Sequence, residues 1–153
     1  MRLLCDEMLR GIGRWLRVAG YDTLIARSGT ADADLVAFAR AEERLFLTCD
    51  RRLARTISED PHLIVLPSEA LDEAAHELRE RRGIDWLHAP FTRCLLDNAS
   101  LRPAAGSELA RVPASAQRED DPIKACPECG RVYWPGSHVR RMRGRLERWA
   151  QRA

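Results

Sequence analysis

Residues 3–26 read LLCDEMLRGIGRWLRVAGYDTLIA, and this stretch decides the fold. Leu3 and Leu4 open a short apolar run that stops at Cys5 and Asp6. Met8, Leu9, Ile12, Trp15, Leu16 and Ala19 then recur at helical spacing, with Arg10, Arg14 and Arg17 between them, until Gly20 ends the pattern. Thr23 to Ala26 are again mostly apolar and short. Strand, helix and strand in so compact a stretch make a βαβ unit, and the crossover helix requires the two strands to run parallel.

The same alternation continues outward. Ser28–Thr30 are a loop, and Leu35, Val36, Phe38 and Ala39 form the apolar face of a second helix whose first turn carries Asp32 and Asp34. A third strand, Leu45–Thr48, ends at Cys49 and Asp50. A short basic helix from Arg51 to about Ile57, a fourth strand Leu63–Leu66 and a helix from Ser68 to about Arg82 complete a unit spanning residues 1–88. The expected architecture is α/β, a parallel sheet flanked by helices. From Ala89 the texture changes, because prolines 90, 103, 113, 122, 127 and 135 interrupt every periodic run. Residues 89–153 are expected to be a small appendage that needs a cross-link, with a basic helix over Val139–Arg152 whose Met142, Leu146 and Trp149 share one face.

Composition excludes other classes. The chain has 153 residues, 45% hydrophobic and 31% charged, which rules out disorder, collagen and coiled coil. No apolar run reaches the roughly 18 residues of a membrane helix, and the acids in MRLLCDEMLR do not suit a signal peptide. A cytoplasmic protein is expected, so five cysteines read as reduced thiols or metal ligands. The formal charge of +2 is a cancellation: residues 1–130 hold 18 basic and 22 acidic side chains, residues 131–153 hold 7 and 1. Of the 25 basic residues only Lys124 is not arginine, a bias spread along the whole chain that fits genome composition as well as function.

In an open parallel sheet the functional crevice lies outside the carboxyl ends of the strands. Asp6 follows strand one, Asp50 follows strand three, and Asp32 and Asp34 occupy the turn after strand two, so all four fall at one edge. Any one of them alone reads equally well as a helix cap. Their joint placement favours a cation between them, and hard oxygen ligands select Mg²⁺ or Mn²⁺. Such a site does phosphoryl chemistry, with a metal-activated water as nucleophile. Cys5 and Cys49 each precede one of these acids and read as buried, inert thiols.

The opening Asp6–Thr23, the stretch Asp32–Asp50 with its DADLVAFA and ERLFLTCD segments, FTRC at Phe91–Cys94 and CPECGRVYWPGSH at Cys126–His138 together resemble the Mut-seven C-terminal RNase family. The resemblance runs in order over almost the whole chain. It implies a PIN-like nuclease domain followed by a zinc ribbon, and a metal-dependent ribonuclease activity. Carried over by motif, Asp6 is the first-strand Asp, Asp32 the Asp before the apolar helix and Asp50 the last Asp of a T-x-D element, with Asp34 an extra acid. The additional Glu of PIN domains has no match, and Cys49 stands where family members usually carry Arg. Arg51 and Arg52 follow at once and would contact phosphates.

Cys126 and Cys129 form a C-x2-C pair, the spacing of a zinc knuckle. Its partner reads Cys94-Leu-Leu-Asp97, with Asp where the family has a second Cys, so a zinc site of three thiolates and Asp97 is expected. His138 competes for the fourth position, and a ribbon that has lost its zinc is the remaining alternative. The tail arginines, Arg140, Arg141 and Arg143 among them, interleave with Tyr133 and Trp134, a combination that suits single-stranded RNA, although Trp134 reads better as ribbon core. The function so implied is RNA hydrolysis. Its rivals are a non-catalytic RNA-binding protein with a degenerate site and a toxin-like nuclease controlled by a protein partner. A homo-oligomer stays open.

Overall fold

A computed structural model describes residues 1–57, 59–118 and 122–151. The elements run β1 Arg2–Cys5, α1 Arg10–Val18, β2 Asp22–Ile25, α2 Asp32–Ala41, β3 Leu45–Thr48, α3 Arg51–Thr56, β4 Leu63–Val65 and α4 Leu71–Arg82. They continue through three two-residue strands, β5 Arg102–Pro103, β6 Lys124–Ala125 and β7 Val132–Tyr133, to α5 Ser137–Ala150. A 3-10 turn at Glu7–Leu9 precedes α1, so the helix expected from Met8 begins two residues later. Arg152, expected at the end of α5, lies outside the described residues.

The first four strands are all parallel in the order β2-β1-β3-β4. The chain steps from β1 outward to β2, then returns past β1 to β3. That reversal makes the space between the carboxyl ends of β1 and β3 the topological switch point, where such sheets bind ligands. Period-two alternation sorts the strand residues onto two faces. Leu3, Cys5, Leu47 and Ile64 pack with Leu9, Ile12, Leu16, Leu78, Trp86, Leu146 and Trp149. Leu4, Phe46 and Leu63 pack with Leu35, Val36 and Ala39 of α2 and Leu53 of α3. Two side chains expected on apolar helix faces are instead exposed: Met8 (50%), because it sits in the 3-10 turn, and Phe38 (43%), because Leu35, Val36 and Ala39 define the buried side of α2.

The appendage shares the first core. Trp149 of α5 stands edge-on to Trp15, ring centroids 5.1 Å apart, and 4.9 Å from Trp86. Its Nε1 donates to Asp72 of α4 (2.8 Å), and Arg145 pairs with the same carboxylate while covering the Trp149 ring. Where α1 ends, Ala89 and Phe91 donate backbone N–H groups to Ala19 and Val18. The chain passes so close that a Cβ on Gly20 would lie 2.4 Å from the Ala89 carbonyl oxygen, and Gly20 also has φ +100°, so only glycine fits there.

The exposed edge of β2 is closed by the segment after Cys94. Asn98 accepts the Thr23 N–H through Oδ1 (3.0 Å) and donates through Nδ2 to Asp22 (2.8 Å). Buried Arg17 donates to the carbonyls of Thr23, Leu95 and Leu96, at 2.7, 3.0 and 2.6 Å. Side chains thereby take up an edge that would otherwise offer backbone groups to another strand.

Candidate functional site

Two groups of ligand-type side chains stand out. The first sits at the switch point. Asp6 ends β1 with its carboxylate half-exposed. Its Oδ1 accepts the Glu7 N–H (2.6 Å) and its Oδ2 accepts the Thr48 hydroxyl (3.0 Å). The same Thr48 hydroxyl accepts the Asp50 N–H (3.0 Å). Asp50 in turn caps α3, its Oδ1 taking the N–H groups of Arg52 (2.7 Å) and Leu53 (3.2 Å), which leaves Oδ2 uncommitted. The two acids are thus bridged through a fully buried threonine. Asp32 and Asp34 lie exposed in the first turn of α2.

Glu69, beyond β4, belongs to this edge although the sequence did not single it out. Burial pushes the Cys49 thiol up, and the carboxylates of Glu69 and Asp6 push it further. Glu69 follows strand four as Asp6 and Asp50 follow strands one and three, and that position is the signal that could have found it. Cys5 is fully buried, and burial, opposed by Arg17 and reinforced by Asp6, takes its thiol up to about 12. Neither thiol is poised as a nucleophile.

Arginine pairs with Asp22, Glu42, Asp60, Asp72, Glu77, Glu80 and Glu108. Among the described residues Asp6, Asp32, Asp34, Asp50 and Glu69 have no such partner. Their oxygens fit a hard divalent cation by chemistry. They are not drawn tightly together: no three of them have ligand atoms all within 4.8 Å of one another. Arg51 and Arg52 project from α3 beside Asp50, both exposed.

The second group is closed. Cys94, Asp97, Cys126 and Cys129 place one ligand atom each within 4.8 Å of all the others, the only set of three or more such groups among the described residues. Cys94 Sγ is 3.7 Å from Cys129 Sγ, and Cys126 Sγ is 3.3 Å from both Asp97 oxygens. Four ligands held tetrahedrally at about 2.3 Å from zinc would be about 3.8 Å apart. His138 lies outside the group, in the first turn of α5.

The two halves of this site are built alike. The N–H of Asn98 bonds the carbonyl of Cys94 (3.0 Å) as that of Gly130 bonds the carbonyl of Cys126 (3.0 Å). Cys94 donates to Ala99 (2.8 Å) as Cys126 donates to Arg131 (2.9 Å). Each turn closes on a left-handed residue directly after its second ligand position, Asn98 at φ 71° and Gly130 at φ 70°. Asp97 therefore occupies the place in its turn that Cys129 occupies in the other. The strands β5-β6-β7 form the antiparallel sheet from which the Cys126–Gly130 turn projects. Tyr133 on β7 supports the first turn, its hydroxyl 3.1 Å from Cys94 Sγ and accepting the Leu95 N–H (3.2 Å). Without a cation the acidic ligands oppose one another's ionisation. Burial and then hydrogen bonding within the group raise Cys129 to about 12, and Cys126 is also raised. Burial disfavours the Asp97 charge too, but hydrogen bonds from Cys129, the Ala99 N–H, Cys126 and Cys94 outweigh it and hold that carboxyl low.

Of the arginines expected to meet RNA, Arg140 donates to the Pro135 carbonyl (3.1 Å), Arg143 lies 5.2 Å over the Phe91 ring and Arg141 is exposed. Trp134, expected in the ribbon core, is only half-buried. No helix among the described residues is long and apolar enough to cross a membrane.

No curated protein and no solved structure matches the chain. A family model described as the Mut7-C RNAse domain does match it, over residues 1–146. With the parallel sheet, its acidic edge and the paired metal-ligand turns, that match over nearly the whole length places the chain in the Mut7-C RNAse domain family, a nuclease-like family.

Proposed function

We propose that this protein is a Mg²⁺- or Mn²⁺-dependent ribonuclease that hydrolyses RNA phosphodiester bonds at the carboxyl edge of its parallel sheet. The observation that carries this reading is that Asp6 and Asp50, joined through Thr48 at the switch point, and Asp32, Asp34 and Glu69 on the same edge all lack arginine partners among the described residues. Asp6, Asp50 and Asp32 would hold the ion, with Asp34 and Glu69 adding negative charge around it. Bound there, the ion supplies an activated water and offsets charge on the non-bridging phosphate oxygens.

The chain's own part is positioning. Thr48 fixes the Asp6 carboxylate and the backbone of Asp50 with one hydroxyl, and the start of α3 holds the Asp50 side chain through Oδ1, leaving Oδ2 for an ion. Arg51 and Arg52 take the flanking phosphates. Residues 1–88 carry the hydrolysis. Residues 89–153 hold a structural zinc through Cys94, Asp97, Cys126 and Cys129 and add RNA contacts from Arg140, Arg141 and Arg143. Reduced ligand thiols suit the cytoplasm.

A labelled single-stranded RNA incubated with Mn²⁺ tests the reading: the wild type cleaves it, and Asp6→Asn and Asp50→Asn do not while keeping the wild-type melting temperature. Unchanged cleavage by both variants would falsify it. That no three edge carboxylates converge within 4.8 Å favours one rival, a non-catalytic RNA-binding protein, and retained RNA binding with no cleavage by the wild type would select that rival.

A further inference from the structure

Two cavities of about 210 and 130 Å³ lie where the ribbon meets α5, a third of about 450 Å³ lies on the ribbon beside Cys129, and Trp134 lines all three. Phe91 and Tyr133 line the first two as well. The rims carry Arg111, Lys124, Arg131, His138 and Arg143, and no carboxylate lines any of the three among the described residues. The first turn of α5, which borders the largest aromatic contact, also contains no acid. Several of these cations are fixed in place. Lys124 donates to the Phe91 carbonyl (3.0 Å), Arg143 stacks over the Phe91 ring, and Arg111 donates to the Gly130 carbonyl (2.9 Å). The Arg131 side chain is exposed and makes no hydrogen bond or ion pair among the described residues, although its charge acts on Tyr133.

A surface tied down by its own fold would pair its cations with acids, as α4 and α5 do at Asp72 and Arg145. Here positive charge surrounds aromatic walls; among the described residues no carboxylate lines the cavities, and Cys129 lines only the third. An occupant must bring negative charge at intervals and flat apolar groups between the charges. A single strand of nucleic acid has that chemistry, because its bases stack on aromatic rings and its phosphates meet the cations.

We infer that the cavities around Trp134 are a base-stacking site that holds unpaired RNA, with Trp134 as the platform and Arg131, Arg143 and Lys124 on the flanking phosphates. The site rests on RNA being the substrate class, as proposed above, but it uses no residue of the acidic edge. It also gives the half-exposure of Trp134 a cause: an indole that was only ribbon core would be closed over.

The test is fluorescence anisotropy of a labelled oligouridine, titrated with the full chain as purified and no added Mg²⁺ or Mn²⁺. Two further oligomers run beside it, one with abasic spacers in place of every base and one of double-stranded RNA. Losing the stacked bases or truncating the platform should cost about tenfold in affinity. The abasic oligomer binds the wild type that much more weakly, and Trp134→Ala binds oligouridine that much more weakly yet binds the abasic oligomer like the wild type. Trp134→Phe restores most of the loss. Arg131→Ala lowers the salt dependence, log K against log salt, by about 0.7. Equal binding of abasic and normal oligomers by the wild type overturns the inference without any variant having to fold. So does tighter binding of the duplex, or equal displacement of oligouridine by an oligoglutamate of the same charge, which would mark an acidic-peptide surface instead. Absence of cleavage by the wild type with this binding pattern intact would sink the ribonuclease reading and leave the stacking site standing.

Discussion

The acidic sheet edge and the Cys–Asp site are both collections of anionic ligand groups, yet the protein builds them on opposite plans. At the edge, Asp6 and Asp50 spend oxygens on backbone N–H groups and on Thr48, stay partly exposed, and form no converged group with a third acid among the described residues. At the ribbon the ligand atoms already lie within 4.8 Å of one another, and the two turns that carry them are hydrogen-bonded alike before any metal is considered. Open, hard oxygen donors suit an ion that comes and goes with substrate; converged thiolates suit one that stays. On the proposed reading, the difference teaches that one chain can separate a metal used in chemistry from a metal used in folding by how closely it gathers their ligands.

The sharpest way to break this contrast is to exchange which site activity depends on. Asp6→Asn and Asp50→Asn should lower Mn²⁺-dependent RNA cleavage on the order of a thousandfold, the scale of several kcal/mol of charge stabilisation. Their zinc content should remain that of the wild type. A variant that keeps its rate, or that loses zinc along with it, would merge the two sites into one.

The next effect should fall on the other site. Protein purified without added metal is expected to contain close to one zinc per chain by elemental analysis. Cys126→Ser should remove it and lower the melting temperature by on the order of 10 °C or more, since structural zinc binding is folding free energy. Asp97→Cys makes the turns chemically as well as geometrically alike and should hold zinc against a chelator for longer than the wild type. An unchanged exchange rate would mean that Asp97 is no ligand.

Thr48→Val tests how the open site stays organised. The substitution keeps the volume and removes the hydroxyl that joins Asp6 to Asp50. Loss of such a supporting partner should reduce kcat by about 10- to 100-fold with KM little changed, and Thr48→Ser should restore it. A purely structural role would lower the melting temperature and leave the kcat to KM split untouched.

The strand-ending acids were legible because a parallel sheet places the residues after its strands at one edge whatever their distance in sequence. Asp6, Asp32 and Asp50 needed only correct strand ends, and β3 was read to the residue. Glu69 escaped because Pro67 and Ser68 separate it from β4, so it read as part of a helix start. The C-x-x-D turn was legible as a pattern, but that Asp97 and not His138 joins the thiols depends on the left-handed turn at Asn98. Arg17, Arg44 and Arg145 were unreadable for a different reason. In a chain with one lysine, the arginines buried against carbonyls and carboxylates look the same in sequence as those left exposed.

The smallest expected effect lies at the joint between the two regions. Burial by itself would raise the Asp22 carboxyl, but hydrogen bonds from Arg44 and Asn98, with the charges of Arg44 and Arg93, overcome it and hold its pKa at about 2 against 3.8 for the free group. A carboxyl depressed on folding stabilises the fold wherever it is ionised in both states, and that contribution disappears as pH falls toward the folded pKa. The wild type should therefore lose stability between about pH 4 and about pH 2 in proportion to protons taken up by Asp22. Asp60, Asp72 and Glu108 are also held low, first by the His62 N–H, the Trp149 indole N–H and Arg102 respectively, so wild-type melting against pH mixes several groups. The difference between wild type and Asp22→Asn isolates one of them: a constant gap in stability above about pH 4 that closes by about pH 2. Because Asn98 links Asp22 to the first metal-ligand turn, the variant should also shed zinc somewhat faster at neutral pH. A gap that does not vary with pH, together with wild-type zinc release, would show that the β2 edge and the ribbon are held together by Arg17 and the Thr23–Asn98 hydrogen bond without Asp22.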